Sequence, residues 1–507
     1  MRRFLEDHLG LFLLGLAALC IVITRACLQS ITIDEAGSFL QYAWHPGPSH
    51  WWPVSDNHVL NSILMRLTAA LFGVSNLSAR LPAIVGAVIY IGSALYLCLR
   101  LTNQRLLELL LFTCLVFNPL ILDYLVAARG YSLAIGFFLA AVAVIATAMI
   151  TTGNEAKLIR QCVAVSALLA LSCSANFSFA IANGTMLTIF SLWAVRQKLG
   201  SAQRVRLAVA SYAPGLLIGF ILCGSVLTSW PSGELYFGSK QMSEMWSSLA
   251  TGSFDVLNPN LVNPLLLRAI HPIQRFGPWL VLGAGLLLFG RMEIIRRSKP
   301  AAKSQPPGDL VRLMVLVSAV VLFLHWLAFK ILQIPLPKDR TALFFLPLFT
   351  LALAGSLAFD LRAATRPILA RCALGLLAIT SFYFIGCLRL GYFKEWKFDS
   401  DTKTLYWILS DLRERCGIEK FGIDWRYDLS LNFYRENYAA GSLNEFSRST
   451  SGELPPDRDA YAIFLPTSQE FIRQQKLQVI YHNDFSDAAV AIRGCPGQPS
   501  HAAALHQ

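Results

Sequence analysis

NPLILDYLVAARGYSLAIGFFLAAVAVIATAMI, residues 118–150, ends in twenty residues (131–150) that carry no charge. At about 1.5 Å of rise per residue, such a run as a helix crosses the roughly 30 Å of hydrocarbon in a bilayer. Just before it, residues 123–130 hold Asp123 and Arg129 in a stretch too short for an element of its own. The segment therefore reads as a tight turn between two membrane spans, and ionisable groups at that position form a functional hypothesis by default.

Working outward, apolar runs of spanning length occur near residues 8–26, 80–100, 106–122, 131–150, 160–173, 178–195, 207–229, 277–291, 310–331, 342–359 and 368–390. The expected fold class is thus an α-helical polytopic membrane protein with about eleven transmembrane helices. Composition agrees: of 507 residues 55% are hydrophobic and 15% charged, against about 25% charged in soluble domains. The N-terminal run has a basic start but no convincing small-x-small cleavage site, and it reads as an uncleaved first helix.

The net charge of +12 is distributed as short clusters between apolar runs, a topology signal and not a nucleic-acid footprint. Arg2/Arg3, Arg100/Arg105, Lys157/Arg160, the cluster 196–206, the cluster 291–303 and Arg362/Arg366/Arg371 fall on one side when the spans alternate. Basic connectors favour the cytoplasm, so the N-terminus is expected there. The opposite side then receives loop 27–79, turn 123–130, loop 230–276, turn 332–341 and everything after about residue 391. Within the first loop, residues 57–74 read as an amphipathic helix lying at the outer interface.

After Tyr392 the composition becomes that of a water-soluble fold. The stretch 401–417 reads as an amphipathic helix and KFGID, AYAIFL, LQVIYH and AAVAIR as short strands, giving a small α/β domain over 392–496. The transmembrane domain is 1–391, and residues 497–507 are expected to be a disordered tail. Nine cysteines lie in or beside apolar runs and behave as small hydrophobes. Cys416 and Cys495 lie near the two ends of the polar segment. Outside the cytoplasm they could form a disulfide; the alternative is two buried thiols.

Three outer segments concentrate the ionisable residues: ITIDEA (31–36) with Asp34 and Glu35, residues 122–132 with Asp123, Arg129 and Tyr131, and PLPKDR (335–340) with Lys338 and Arg340. A carboxylate pair can act as general base toward a hydroxyl, and Arg129, Lys338 and Arg340 can hold a phosphate leaving group. The bland alternative for each segment is a solvated helix end. His45, His50 and His58 with Asp56 are side chains able to bind a divalent metal, but their spacing fits no zinc motif. No metal or other cofactor is firmly implied. Polar loop histidines are favoured, with one binding substrate. Trp44, Trp51 and Trp52 read as interfacial anchors. Asn76, Asn176 and Asn183 match the glycosylation sequon but lie in or close to apolar runs. The absence of a Gly-rich phosphate loop or nucleotide fingerprint argues against ATP-driven or nucleotide-sugar chemistry.

The motifs IDEAGSF (33–39), DNHVLNSILMRLTAALFGVSNLSARLPA (56–83), NPLILDYLVAARGYSLAI (118–135) and PLPKDRTALFFLPLF (335–349) together resemble the membrane glycosyltransferases of the GT-C fold. The resemblance is to the bacterial relatives of protein O-mannosyltransferases and lipid A aminoarabinose transferases, of glycosyltransferase family 39 type. It implies a GT-C bundle in the bacterial cytoplasmic (inner) membrane. The implied reaction is transfer of a sugar from a polyprenyl phosphate donor to a lipid, glycan or protein acceptor at the outer face, with inversion by direct displacement. Asp34 takes the role of the first-loop acid acting on the acceptor hydroxyl, with Glu35 in support. Arg129 matches the arginine near the donor phosphate, and Lys338 and Arg340 the basic residues of the late loop. Asn57, His58, Asp123 and Tyr131 are candidates for substrate contact. Val126-Ala127 stands where relatives carry Gln-Glu, so a second acid must come from elsewhere, and Val59 follows His58 where relatives often have Pro. The alternative reading is a transporter or flippase of lipid-linked sugars, for which inverted repeats and helices broken at mid-depth are expected. Neither is clear in the sequence.

Overall fold

The computed structural model describes residues 8–44, 57–150, 155–197, 200–228, 237–298, 306–363, 367–438, 443–447 and 453–495. The expectations for His45, His50, Trp51, Trp52, Asp56, Arg2, Arg3 and the tail 497–507 lie outside them.

The helices follow the apolar runs. They are α1 (Leu9–Leu28), α2 (Ile33–Ser38, continued by a π turn Phe39–Trp44), α3 (Val59–Phe72), α4 (Asn76–Leu101), α5 (Arg105–Val116), α6 (Pro119–Tyr124), α7 (Tyr131–Ile150), α8 (Glu155–Ala175), α9 (Ala180–Val195), α10 (Ser201–Thr228), α11 (Met242–Ser253), α12 (Pro264–Ser298), α13 (Pro306–Leu332), α14 (Phe345–Ala363) and α15 (Ile368–Gly386). Among the described residues, 10 helices are long and apolar enough to cross a membrane. The difference from eleven is the expected span 106–122, which is two helices, α5 and α6. Pro119 lacks an N–H and cannot continue α5, while Asn118 Oδ1 accepts from Leu120 N (3.0 Å) and Ile121 N (3.4 Å) and so starts α6.

Two compact units emerge. The first comprises, among the described residues, 8–23, 57–61 and 82–389. Its interior is close-packed where helices lack side chains: a Cβ on Gly86 would lie 2.4 Å from Leu133 N, and one on Gly136 2.5 Å from Gly86 O. This close crossing of α4 and α7 depends on small residues.

The second unit comprises 24–44, 62–81 and 390–495. After residue 390 come α16 (Thr402–Cys416), β1 (Phe421–Ile423), α17 (Asp428–Tyr438), β2 (Ala460–Phe464), α18 (Leu465–Gln475), β3 (Gln478–His482) and β4 (Ala488–Ile492). The strands form one sheet in the order β1-β2-β4-β3, with β1 and β2 parallel and the other pairs antiparallel. All four strands fall on the segments read as strands; α17 and α18 were not anticipated. Cys416, at the end of α16, is bonded to Cys495, with 5.1 Å between their Cα atoms.

Candidate active site

In the first unit the turn after α6 is shaped by Gly130, whose φ is +74°. A Cβ there would lie 2.0 Å from Ala175 O and 3.1 Å from His58 Cβ, so glycine alone lets this turn lie against the end of α8 and residue 58. The approach builds a cluster around Asn176. Its Oδ1 accepts from Ser178 N at 3.0 Å, which fixes the amide orientation. Its Nδ2 then lies 3.3 Å from the Arg129 carbonyl and 3.3 Å from His58 Nε2. Because an amide nitrogen only donates, His58 Nε2 accepts, and the ring proton sits on Nδ1. His58 Nδ1 is buried and has no hydrogen-bond partner among the described residues. Burial, and then the charges of Arg129 and Arg340, hold the His58 imidazole well below its usual pKa. A neutral N–H donor thus sits within the fields of two guanidinium groups. Tyr131 meets the His58 ring edge-on at 5.8 Å, and Tyr124 packs on Tyr131 at 5.0 Å. Asn57 precedes His58 and is buried with it.

The late turn is held in the same unit. Ser239 and Leu336 exchange backbone bonds of 2.7 and 2.9 Å, and Asp339 N donates to Ser248 Oγ at 3.0 Å. Lys338 Nζ pairs with Glu244 at 2.8 Å. The hydrogen bonds from Lys338 and Ser239 hold the Glu244 carboxyl below its usual pKa. The Arg340 guanidinium stacks on Phe237 at 4.2 Å. Helix α11 packs against both α6 and the turn Asp339–Ala342, linking the second and third expected segments.

Asp123 is buried in an ion triad. Arg389 bonds it at 2.7 Å and also bonds Asp255, while Tyr383 Oη donates to the Asp255 carbonyl at 2.6 Å.

In the second unit, Thr32 and Glu35 form a capping box that starts α2. Glu35 is fully buried. It takes a bidentate pair of bonds from Arg80, 2.8 Å from Nε and 2.7 Å from Nη2, and a third from Thr32 N at 2.9 Å. Arg80 also donates to the carbonyls of Ala26 (3.1 Å), Gln29 (2.8 Å) and Ser30 (2.8 Å) and lies over the Phe393 ring. This network pins the chain entering α2, and within α2 only Asp34 escapes full burial. Asp399 anchors the same helix: its Oδ2 accepts from Ile33 N at 2.8 Å, and its Oδ1 accepts from Thr402 Oγ1 (3.2 Å) and Ser430 Oγ (3.3 Å). Burial raises the Asp399 carboxyl well above its usual pKa, and the charge of Asp34 adds to the shift.

The structure thus brings His58, Arg129, Tyr131 and Arg340 into one environment and places Lys338 in an ion pair at its side. Asp34 is the accessible acid of α2. Glu35 and Asp123, both candidates from sequence, are held in buried ion pairs. The sequence reading missed Arg80, Asn176, Glu244, Asp255, Arg389 and Asp399. Asn176 carried a signal, a polar residue at the end of an apolar span, which its sequon obscured. Among the described residues, no group of three or more His, Cys, Asp or Glu could hold a metal ion.

No family model matches the chain, and no curated protein is similar to it by sequence. Solved structures are similar in three dimensions. ArnT from Cupriavidus metallidurans bound to undecaprenyl phosphate superposes with a TM-score of 0.54 at 10% identity, covering 98% of this chain and 100% of that one. ArnT from the same organism in the apo state gives 0.52 at 12% identity, covering 95% and 97%. The chain has the GT-C fold. With ten helices of spanning length and apolarity among the described residues, this GT-C protein is a multi-pass membrane protein.

Proposed function

We propose that the protein transfers a sugar from a polyprenyl phosphate donor to a hydroxyl-bearing lipid, glycan or protein acceptor at the outer face of the bacterial cytoplasmic membrane, with inversion. The observation that carries the reading is the buried, neutral His58 N–H within the fields of Arg129 and Arg340. The GT-C fold and the undecaprenyl phosphate bound to ArnT support it. A donor phosphodiester carries one negative charge, and departure of the polyprenyl phosphate creates a second. Two guanidinium groups and a preset N–H meet charge that grows in the transition state, the condition for rate acceleration.

In the proposed step the acceptor oxygen forms a bond to the anomeric carbon as the bond from that carbon to the phosphate oxygen breaks. Asp34 takes the hydroxyl proton, the role the resemblance gives the first-loop acid, and within the first unit Arg129, Arg340 and His58 receive the leaving polyprenyl phosphate. Asn176 positions His58. Glu35, through Arg80, and Asp399, through Ile33, position the helix that bears Asp34. Lys338 adds positive potential, and Asp123 holds the turn that leads to Arg129. The Lys/Arg bias supports a cytoplasmic N-terminus. The disulfide Cys416–Cys495 supports an oxidising location for the C-terminal domain.

Substituting Asp34→Asn keeps shape and removes the base. The expected outcome, in lipid nanodiscs, is loss of transfer by at least 100-fold with unchanged donor binding and thermal stability. Transfer at the wild-type rate would refute the assignment of Asp34.

A further inference from the structure

The first unit holds a cavity of about 240 Å³ that the transfer reading does not use. Helices α11 to α15 wall it, and the junction of α5 and α6 closes one end. Trp246 and Phe254 in and just after α11, Phe289 of α12, Leu353 of α14 and Leu377 of α15 give it an apolar surface, and no charged side chain lines it among the described residues. Trp279 and Leu286 of α12 line it while 52% and 64% exposed, so it opens sideways where the helices meet lipid. The lining residues Leu346 and Leu353 of α14, and Leu377 and Phe384 of α15, are seven positions apart, about 10 Å of helix.

Four hydroxyls line this surface. Ser318, Thr350 and Thr380 each donate to the carbonyl four residues back, at 2.8, 2.7 and 2.9 Å, which satisfies a hydroxyl in hydrocarbon. Ser253 does not: its Oγ is buried and has no hydrogen-bond partner among the described residues. Ser253 ends α11 close to Asn118. A Cβ on the preceding Gly252 would lie 2.9 Å from Leu120 Cδ2, so α11 and α6 touch here. Asn118 Oδ1 is committed to Leu120 N and Ile121 N, and the group its amide can offer a ligand is the Nδ2 donor. One end of an apolar cavity therefore presents a hydroxyl and an amide N–H.

A buried donor left unmatched in hydrocarbon is costly, so the fitting ligand carries an acceptor at one end of an apolar chain. A polyprenyl tail has no acceptor atom, and no charged side chain lines the cavity to hold its phosphate. A fatty acyl chain has one, its ester carbonyl, and the bilayer that meets Trp279 and Leu286 supplies it. We propose that the cavity binds a diacyl phospholipid of the surrounding leaflet, with one acyl chain inside and its ester carbonyl accepting from Ser253 Oγ and Asn118 Nδ2. The site stands independently of sugar transfer, because it rests on the cavity and its donors alone.

The test irradiates the full chain in detergent micelles with a phospholipid carrying a diazirine in mid-chain and maps the labelled peptides. Residues 278–289 and 346–353 label saturably, whereas lipid-facing α10, with Phe220 77% exposed, labels in proportion to the probe. An unlabelled diester phospholipid competes roughly two- to tenfold better than its dialkyl ether analogue, the scale of one net hydrogen bond. Ser253→Ala brings that ratio to about one without shifting the unfolding temperature. Gly285→Leu, which adds bulk beside Leu353, abolishes cavity labelling and spares α10. Labelling that never saturates, equal competition by ester and ether lipids, an unchanged ratio in Ser253→Ala, or stronger competition by undecaprenyl phosphate than by the phospholipid overturns the proposal.

Discussion

Substituting Glu35→Gln separates structural support from chemistry at the residue pair 34–35. Among the described residues Glu35 accepts two bonds from Arg80 and one from Thr32 N, at zero exposure. Glutamine offers one acceptor oxygen in place of two and turns an amide N–H toward a guanidinium. Removing one partner of a buried pair costs about 3–5 kcal/mol, because the remaining charge stays buried. Arg80 keeps three carbonyl acceptors, at Ala26, Gln29 and Ser30, which places the cost near the lower end, about 3 kcal/mol. A unit of this size loses roughly 2–4 °C in Tm per kcal/mol, so the transition of the second unit should fall by about 6–12 °C. Scanning fluorimetry in nanodiscs reads this shift. Transfer measured well below both transitions should remain within about tenfold of wild type. An unchanged Tm together with loss of transfer as deep as in Asp34→Asn would instead make Glu35 a participant in the chemistry.

Other outcomes follow from the same geometry. His58→Ala removes a donor to a charged oxygen, so affinity for undecaprenyl phosphate should fall roughly 10- to 100-fold. His58 is already neutral well below its usual pKa, so wild-type affinity should show no step near pH 6.5 assignable to this ring; calorimetry from pH 5.5 to 8 checks both. Asp399 has a folded pKa above its unfolded value. Its contribution to stability is therefore fully present below the ordinary carboxylate range and is lost as pH rises through the raised folded value. Asp399→Asn should flatten that part of the Tm-pH curve and cost under about 1 kcal/mol at neutral pH, since the asparagine oxygen can still accept from Ile33 N. A steeper curve would reverse the assignment.

How much of this was legible in the sequence depends on the range of the interactions. The spans could be read because uninterrupted apolar runs such as 131–150 are local signals. The four strands of the C-terminal sheet were legible as short apolar runs between turn residues. The break between α5 and α6 is also local, written in Asn118-Pro119, yet the apolar run around it masked the break. Helices α17 and α18 are short, polar and weakly periodic, and they owe their form to packing on the sheet. The distant polar partners were invisible: Glu35 and Arg80 are 45 residues apart, Asp123 and Arg389 266 apart, and the Ile33 N–H and the Asp399 carboxyl 366 apart. No periodicity connects such residues. The three motif segments name Asp34 and Glu35 alike, and nothing local in them tells an accessible carboxylate, Asp34, from one held in a buried pair, Glu35.

Transfer from a lipid-linked donor can be followed by incubating the protein in lipid with radiolabelled polyprenyl phosphate sugars and an envelope extract. Label should move from one donor to an acceptor, with release of polyprenyl phosphate. Intact donor carried across the bilayer with no label transferred would contradict it and make the protein a transporter.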